Sequence, residues 1–314
     1  MVKHSHWSKM SEAGTIMGMK ALLWAYKIFG LTGFRLILLP VMTYYYCRRR
    51  NARQASQQFL QQISPYLPKE QSLSLSTFRH FLMFGEIILD KFLAWMGEIL
   101  KQDVIFEMPE VLEQIENSQR GGIIIMSHLG NMEVCSAFAD QLPDISLTLL
   151  VYTQHAEKFN SLMSRLNNSS RIKLLEVTEM TPATAMILSE RVEAGEYIVI
   201  AGDRTPVTGQ SRISMVNFLG RKAPMPQGAF ILAGLLTCPI YLMFCLKQQN
   251  QYHIYVELFS QQLTYARKQR QEIIDNAVQR YADRLAFYCV KSPLQWFNFY
   301  LFWPDNNDAN TPDI

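Results

Sequence analysis

The chain has 314 residues, of which 49% are hydrophobic. This is enough apolar material to build one large domain or two. Its five cysteines are scattered without the paired spacing of a zinc site. That pattern favours reduced thiols in a cytosol-facing protein over a disulfide framework.

The charges are distributed unevenly along the chain. Residues 1–53 contain nine Lys and Arg side chains and one acid, a net +8, so the remainder of this +3 chain carries −5. A basic front on a mildly acidic body is typical of a protein that meets an anionic membrane surface. The basic and aromatic interleaving of an RNA-binding surface is not present, so no nucleic-acid partner is expected.

The segment from 16 to 46 is nearly all apolar. Its three charges, Lys20, Lys27 and Arg35, fall within about 80° of one another on a helical wheel. This stripe favours a helix that lies in the plane of the membrane interface. The alternative is a span over 28–46, which is barely long enough to cross about 30 Å of hydrocarbon. Inserting Arg35 into the hydrocarbon near the centre of this span would cost about 2.5–3.5 kcal/mol, so we favour the in-plane helix.

Two more helices are predicted before the first strand, a polar one over 51–67 and a long apolar one over 73–100. The charged residues of the second helix are predicted on its more hydrophilic side: Arg79, Glu86, Asp90 and Glu98. This helix is either a core helix packed on a sheet or one wall of an acyl-chain groove. The sequence leaves both interpretations open.

From residue 121 onward, strands and helices alternate. Short apolar runs between turn residues predict strands at 122–126, 146–152, 172–176 and 197–201, with helices at 131–142, 157–168 and 181–194. This order predicts an α/β fold with a central, mostly parallel sheet and helices on both faces. A hairpin at 239–246 and 252–258 and a long helix at 263–290 follow.

The predicted elements divide the chain into three regions. Residues 1–70 form an N-terminal membrane-associating helical region. Residues 71–303 form the α/β domain. Residues 304–314, rich in Asp, Asn and Pro, are expected to be a disordered tail.

His128 lies where the strand at 122–126 ends and the next helix begins. Asn131 is suited to cap that helix, and Glu133 lies in its first turn. From there the carboxylate can reach back to the imidazole, fix its tautomer and stabilise its charged form. Alternatively, His128 only ends the strand and Glu133 only complements the helix dipole.

A second polar pair, Asp203 and Arg204, directly follows the strand at 197–201. Ligands of parallel α/β sheets bind at the carboxyl ends of the strands. Chemically capable groups at two equivalent strand ends therefore indicate one site. The alternative role of Asp203 is that of a turn residue before Pro206.

Several blocks resemble the lysophospholipid acyltransferase superfamily, in its lipid A late acyltransferase branch. Residues 128–133, His-Leu-Gly-Asn-Met-Glu, resemble its His-x4-Asp/Glu motif. Residues 202–206 resemble the block that carries an Asp after a strand, and 218–228 resemble a Phe-x-Gly-(Arg/Lys)…Pro-x-Gly stretch. Residues 233–240 and 293–300 resemble later blocks, so that the resemblance extends from about Ile16 to Trp303.

The resemblance implies a membrane-associated acyltransferase at the cytoplasmic face of the bacterial inner membrane. The donor would be a thioester, acyl carrier protein or coenzyme A, and the acceptor a hydroxyl or amine of a lipid or glycolipid. His128 would act as general base and Glu133 would orient it, with Asp203 as the third catalytic residue. No cofactor or metal is implied.

Four residues are expected to bind substrate: Asn131, Arg165, Arg204 and Arg221. Arg165 matches an Arg of the branch, although Arg171 is a rival for that role. The basic side chains are suited to an anionic headgroup or a carrier phosphate.

Three other functions are compatible with parts of the sequence. A hydrolase would use water as acceptor, but the chain lacks a G-x-S-x-G nucleophile elbow. An aminoacyl transferase acting on lipid A is an alternative within the superfamily. A non-catalytic lipid-binding membrane protein is the third, against which the intact His/Glu pair argues.

Overall fold

The computed structural model describes residues 16–95, 97–139, 145–151, 172–177, 181–205 and 212–304. Helices within these ranges are α1 (Ile16–Arg48), α2 (Arg50–Ile63), α3 (Lys69–Ser74), α4 (Thr77–Trp95), α5 (Pro109–Glu116), α6 (Met132–Ala139), α7 (Pro182–Glu193), α8 (Gly228–Leu236) and α9 (Arg270–Lys291). Strands are β1 (Val104–Phe106), β2 (Ile123–Met126), β3 (Leu147–Val151), β4 (Ile172–Glu176), β5 (Tyr197–Ala201), β6 (Ile213–Phe218), β7 (Arg221–Pro226), β8 (Ile240–Gln248) and β9 (Gln251–Ser260).

Seven of the described strands form one sheet, in the order β1-β9-β8-β2-β5-β3-β4. Neighbouring strands run parallel except β8 and β9, which pair as an antiparallel hairpin. The predicted α/β fold with a mostly parallel sheet is confirmed. Strand β2 lies at the centre, between β5 and β8.

Successive side chains of β2 enter two different cores, one on each face of the sheet. Ile123 and Ile125 pack with residues of α7, α8 and α9. Ile124 and Met126 pack with residues of α5 and α6. Because neighbouring residues of a strand point to opposite faces, a strand covered on both sides reads as a continuous apolar run. Each buried side chain of this kind contributes about 1.5–3 kcal/mol.

The predicted strands at 172–176 and 197–201 coincide with β4 and β5. The predicted hairpin is β8 and β9, although its turn is shorter than expected. Gln249 and Asn250 have φ values of 58° and 147°, so two residues complete the turn and both strands extend toward it. The last helix begins at Arg270 rather than at 263.

Two features of the sheets were not predicted. The edge strand β1 has only three residues, too few for a period-2 pattern. The hairpin of β6 and β7 forms a separate two-stranded sheet. Strand β7 contains Pro224 and Pro226, residues that argue against a strand in sequence and are tolerated here because this sheet has only edges.

Helix α4 is shorter than the predicted 73–100. One of its acids, Asp90, was predicted on the hydrophilic side of the helix but lies on the buried side. Asp90 is only 2% exposed. Both of its carboxylate oxygens accept hydrogen bonds from Nζ of Lys247 in β8, at 2.9 and 2.8 Å. A charge buried in this way is stable only with such a partner, which sequence periodicity does not reveal.

Helix α1 packs along α4 on one side and leaves its other side uncovered by the described residues. Phe34, Leu38 and Met42 are buried against α2 and α4. The other side carries exposed apolar side chains: Trp24, Ile28, Phe29, Leu36, Ile37, Leu39 and Tyr44. The segment Tyr26–Arg48 is long and apolar enough to cross a membrane, by length and composition alone.

The backbone of α1 is broken at Gly30, which has φ 65° and ψ −162°. Arg35, predicted in a basic stripe, makes a two-pronged contact with Glu86 of α4, at 2.9 Å through Nε and 3.2 Å through Nη2. The charge at the middle of this apolar segment therefore has an intramolecular partner. The side chain of Lys20 lies outside the described residues.

Some predictions fall outside the described residues: the helix at 157–168, the end of the helix at 131–142 and the tail after Pro304. The domain boundaries also remain a prediction. All five cysteines are free thiols, and all except Cys47 are buried, as expected for a protein without a disulfide framework.

His80 is a fully buried polar group that joins three parts of the fold. Its Nε2 lies 3.0 Å from the carbonyl oxygen of Trp296, and its Nδ1 lies 2.9 Å from Oγ of Ser56 in α2. A carbonyl only accepts, so Nε2 carries the proton and Nδ1 accepts from the hydroxyl. Burial lowers the pKa of His80 to about 4. The ring is therefore neutral in the folded protein at neutral pH.

This buried neutral ring predicts acid sensitivity. Between pH 6.5 and 4 the unfolded chain binds a proton at position 80 that the folded protein does not, so stability is complete above 6.5 and falls as pH approaches 4. A pKa of about 4 against 6.5 corresponds to roughly 3 kcal/mol. Between pH 7 and 4.5, we expect the free energy of unfolding of His80→Gln to fall less than that of the wild type. The measurement is urea unfolding at a fixed detergent concentration. Equal losses would contradict this assignment.

Candidate active site

The pairing of β2 with β5 sets His128 opposite Asp203. Met126 is in register with Ala201. The pairing continues past the strand ends, because the N–H of Gly202 donates to the carbonyl of Met126 at 2.8 Å. His128 lies two residues after Met126, and Asp203 lies two residues after Ala201. A side chain at Gly202 would not fit, since a Cβ there would lie 2.6 Å from a methyl of Ile125.

The carboxylate of Asp203 accepts three hydrogen bonds. Oδ1 lies 2.8 Å from Nδ1 of His128. Oδ2 accepts from the backbone N–H of His128 at 2.8 Å and from the indole N–H of Trp296 at 3.0 Å. Asp203 is 1% exposed. A buried carboxylate with this many donors is stabilised in its ionised form.

The protonation states follow from these contacts. Burial, together with the nearby charge of Arg204, lowers the pKa of His128, and Asp203 only partly offsets this. Burial acts to raise the pKa of Asp203, but the interactions with His128, together with the positive charge of Arg204, outweigh it, and the pKa lies below its usual value. A neutral imidazole therefore faces a carboxylate at neutral pH.

The tautomer of His128 is set by the same pair. A carboxylate can only accept, so Nδ1 carries the proton and Nε2 keeps its lone pair. No side chain or backbone group in the described ranges hydrogen-bonds Nε2. The His128 side chain is 23% exposed, so part of the ring is accessible from outside.

The predicted partner of His128, Glu133, has a different contact. Its Oε1 lies 2.6 Å from Nζ of Lys91 in α4, and its Oε2 is buried without a hydrogen-bond partner among the described residues. The expected pairing of His128 with Glu133 is thus replaced by pairing with Asp203. The reason is that parallel strand pairing already supplies a carboxylate to Nδ1, while α6 begins close to α4.

The loop between His128 and α6 is held by backbone contacts. Gly130 has φ 75°, donates to the carbonyl of Gln295 at 2.8 Å, and approaches the carbonyl of Cys245 so closely that a Cβ would lie 1.8 Å from its oxygen. Asn131 caps α6 as predicted, since its Oδ1 accepts from the N–H of Glu133 at 3.2 Å. Its Nδ2 is buried and has no partner within the described part of the chain.

Residues 23–303 match the model of a family described as bacterial lipid A biosynthesis acyltransferase. The chain belongs to this family. The match extends over most of the sequence and includes every element that builds the site. It identifies the protein as an acyltransferase of the lipid A type, and it confirms the resemblance seen in the sequence. A comparison with curated proteins gives no match.

The other predicted substrate-binding residues of this acyltransferase have different outcomes. Arg204 is half-buried, and its charge acts on both His128 and Asp203. Arg221 in β7 donates to the carbonyl of Pro304 at 2.6 Å, which ties it to the carboxyl-terminal segment. Arg165 and its rival Arg171 lie outside the described residues.

Two consecutive residues of α4 fix this helix over the carboxyl edge of the sheet. Asp90 pairs with Lys247 at the end of β8, and Lys91 pairs with Glu133 at the start of α6. Removing one partner of a buried pair leaves an uncompensated charge, which costs about 3–5 kcal/mol. These pairs bring α4 against the end of β8 and against the start of α6, which directly follows the loop of His128. No local pattern in the sequence indicates the contact of Lys91.

The segment 293–303 closes the site from the other side. The N–H of Phe297 donates to the carbonyl of His128 at 2.9 Å. The side-chain amide of Gln295 bonds both the N–H and the carbonyl of Lys247, at 3.0 and 2.7 Å. In the sequence, this segment stands out only by its resemblance to the family. The contact of Trp296 with Asp203 has no signal in the sequence around Trp296, because the two residues lie far apart in the chain.

The loop geometry predicts that Gly130→Ala is destabilising. The new methyl would overlap a backbone carbonyl, and alanine disfavours a positive φ, so we expect a loss of roughly 2–4 kcal/mol. The measurement is urea unfolding. Gly228→Ala is the matched control, because a Cβ there meets nothing within 4 Å. Equal stabilities of the two variants would contradict the close approach at Gly130.

Proposed function

We propose that this acyltransferase moves a fatty acyl group from acyl carrier protein or coenzyme A to a hydroxyl or amine of a lipid or glycolipid. The observation that carries the proposal is the state of the His128 ring: Nδ1 is fixed by Asp203 at 2.8 Å, and Nε2 has no hydrogen-bond partner in the described part of the chain. A neutral imidazole in this state is suited to take a proton from an acceptor.

In this mechanism, Nε2 of His128 takes the acceptor proton while the acceptor oxygen or nitrogen attacks the thioester carbonyl carbon. Asp203 stabilises the imidazolium that forms. The tetrahedral intermediate then breaks its C–S bond, and the leaving sulfur takes the proton from His128. The acyl group passes directly to the acceptor without a covalent acyl-enzyme. General-base assistance contributes about 10²–10⁴-fold, and holding both substrates together contributes up to about 7–11 kcal/mol.

The oxyanion of the intermediate requires hydrogen-bond donors, and Asn131 is our candidate. Its Oδ1 accepts from the N–H of Glu133, which fixes the orientation of the amide, and its Nδ2 has no hydrogen-bond partner among the described residues at the start of α6. One well-placed donor contributes about 10²–10³-fold to the rate. A buried amide without a partner is costly in the free protein, which supports a ligand group at this position.

The remaining charged residues are assigned to substrate recognition. We infer that Glu133 accepts a hydrogen bond from the acceptor through Oε2, which has no partner among the described residues, so Glu133 acts on the substrate rather than on His128. Arg204 is suited by its charge near His128 to an anionic group of either substrate. Arg165 and Arg221 are retained as predicted substrate contacts.

The membrane partner is supported by α1. Its uncovered apolar side and the net charge of +8 over residues 1–53 fit the anionic cytoplasmic face of the bacterial inner membrane. We favour an in-plane helix because α1 packs along α4, and a vertical span would carry Glu86 and Lys91 of α4 toward hydrocarbon. The break at Gly30 is consistent with this orientation.

The first test is substitution of the proposed acid–base residues. We expect His128→Ala to lower the transfer rate about 10²–10⁴-fold, and Asp203→Asn to lower it strongly through loss of the charge that stabilises the imidazolium. Glu133→Gln should raise KM for the acceptor and spare the donor. The measurement is transfer of labelled acyl groups from acyl carrier protein and from coenzyme A to a lipid A precursor in micelles.

The control for these variants is His253→Asn. His253 also pairs with a carboxylate, Glu107 at 2.6 Å, but it lies on β9, next to the edge strand β1. This variant should keep the wild-type rate. A fully active, folded His128→Ala would overturn the proposed chemistry, and mass spectrometry of total lipids from cells with and without the protein would identify the acceptor.

The pKa shifts predict a pH profile. The base must be deprotonated, and burial lowers the pKa of His128 below 6.5, so kcat/KM should be full at neutral pH and fall only on the acid side of 6.5. Asp203 raises the pKa of His128, so the residual activity of Asp203→Asn should have its acid limb at still lower pH. An acid limb above 6.5 in the wild type would contradict the assignment.

A further inference from the structure

The carboxylate of Asp203 has one donor that comes from neither strand end. The indole N–H of Trp296, in the segment 293–303, donates to Oδ2 at 3.0 Å. The same oxygen accepts from the backbone of His128, whereas Oδ1 faces Nδ1 of the imidazole. Two donors on Oδ2 thus hold the carboxylate in the one rotation that presents Oδ1 to Nδ1.

Trp296 itself is immobilised. It is 0% exposed and is surrounded by aromatic rings, with ring centroids at 4.9 Å for Phe59, 5.2 Å for Phe218 and 5.0 Å for Phe302. Its carbonyl oxygen lies 3.0 Å from Nε2 of His80. An indole held in this way keeps its N–H aimed at Asp203 without further ordering.

We propose that Trp296 is a positioning residue for the His128–Asp203 pair, a role that rests on the proposed function. It touches no substrate, since it is sealed in the core. It acts by keeping Asp203 ionised and correctly rotated, so that His128 presents Nε2 as a base. A hydrogen bond to the charged form of a carboxylate favours that form.

The test is Trp296→Phe, compared with Trp303→Phe as a matched control. Trp303 is also buried in the same aromatic cluster, but its indole N–H donates to a backbone carbonyl, that of Phe218, at 3.2 Å. Both variants lose one indole N–H and similar packing. Only Trp296→Phe removes a hydrogen-bond donor from Asp203.

We expect Trp296→Phe to lower kcat about tenfold or more relative to Trp303→Phe, as for loss of one hydrogen bond to a charged group, with KM unchanged. Removing a donor raises the proton affinity of the coupled pair, so the acid limb of kcat/KM should also move to higher pH than in the control. The positioning role of Trp296 would be overturned if the acid limb of Trp296→Phe lay at the same pH as that of Trp303→Phe or lower. Equal kcat values of the two variants would overturn it as well.

If Trp296→Phe does not fold, Trp296 is replaced by 3-benzothienylalanine, which keeps the shape of the indole and lacks the N–H. The same shift in pH and the same loss in kcat are expected. The two proposals fail separately. An active His128→Ala overturns the proposed function, whereas an inactive His128→Ala together with a wild-type benzothienyl variant overturns only the role of Trp296.

Discussion

The site depends on the parallel pairing of β2 with β5. Because Met126 is in register with Ala201, residues two positions past each strand end come side by side. A slip of one residue in this register would turn either side chain to the opposite face of the sheet. The register is fixed in turn by two cores, since each face of β2 buries its own set of side chains. Core packing on both faces therefore sets a contact of 2.8 Å between two polar atoms.

The carboxyl-terminal segment connects this contact with the rest of the molecule. It bonds the backbone of His128, the side chain of Asp203 and the ring of His80. His80 belongs to α4 and also contacts α2, so these two helices are joined to the site by one chain of buried polar groups. His80, Trp296 and Asp203 in this chain each make hydrogen bonds on two sides, a condition under which buried polar groups add rigidity.

The fold was predictable to the extent that it follows from local patterns. Buried strands read as apolar runs, so β4 and β5 were placed to the residue, and the strand ends carrying His128 and Asp203 followed from the rule for parallel sheets. The hairpin of β6 and β7 was not predictable, because Pro224 and Pro226 contradict a strand except in a sheet made only of edges.

Sequence reasoning identified the members of the site but not their pairing. The spacing between His128 and Glu133 is a local quantity, whereas the carboxylate that bonds the ring comes from a neighbouring strand 75 positions later. Lys91 and Trp296 have no local signal at all, since each becomes relevant only through a contact made in the folded chain. Residues that act through tertiary contacts are therefore the ones that pattern and resemblance miss.

The actual distribution of charges suits a base better than the predicted one. Two carboxylates against one imidazole would favour its protonated form and leave no base at neutral pH. In the structure, Glu133 is paired with Lys91, and the acid that contacts the ring is Asp203. Burial is the largest cause of the lowered pKa of His128, and the charges of Arg204 and Lys91 act in the same direction. In the proposed mechanism, separating the two acids keeps the imidazole neutral in the free protein, while the remaining carboxylate stabilises the imidazolium during transfer.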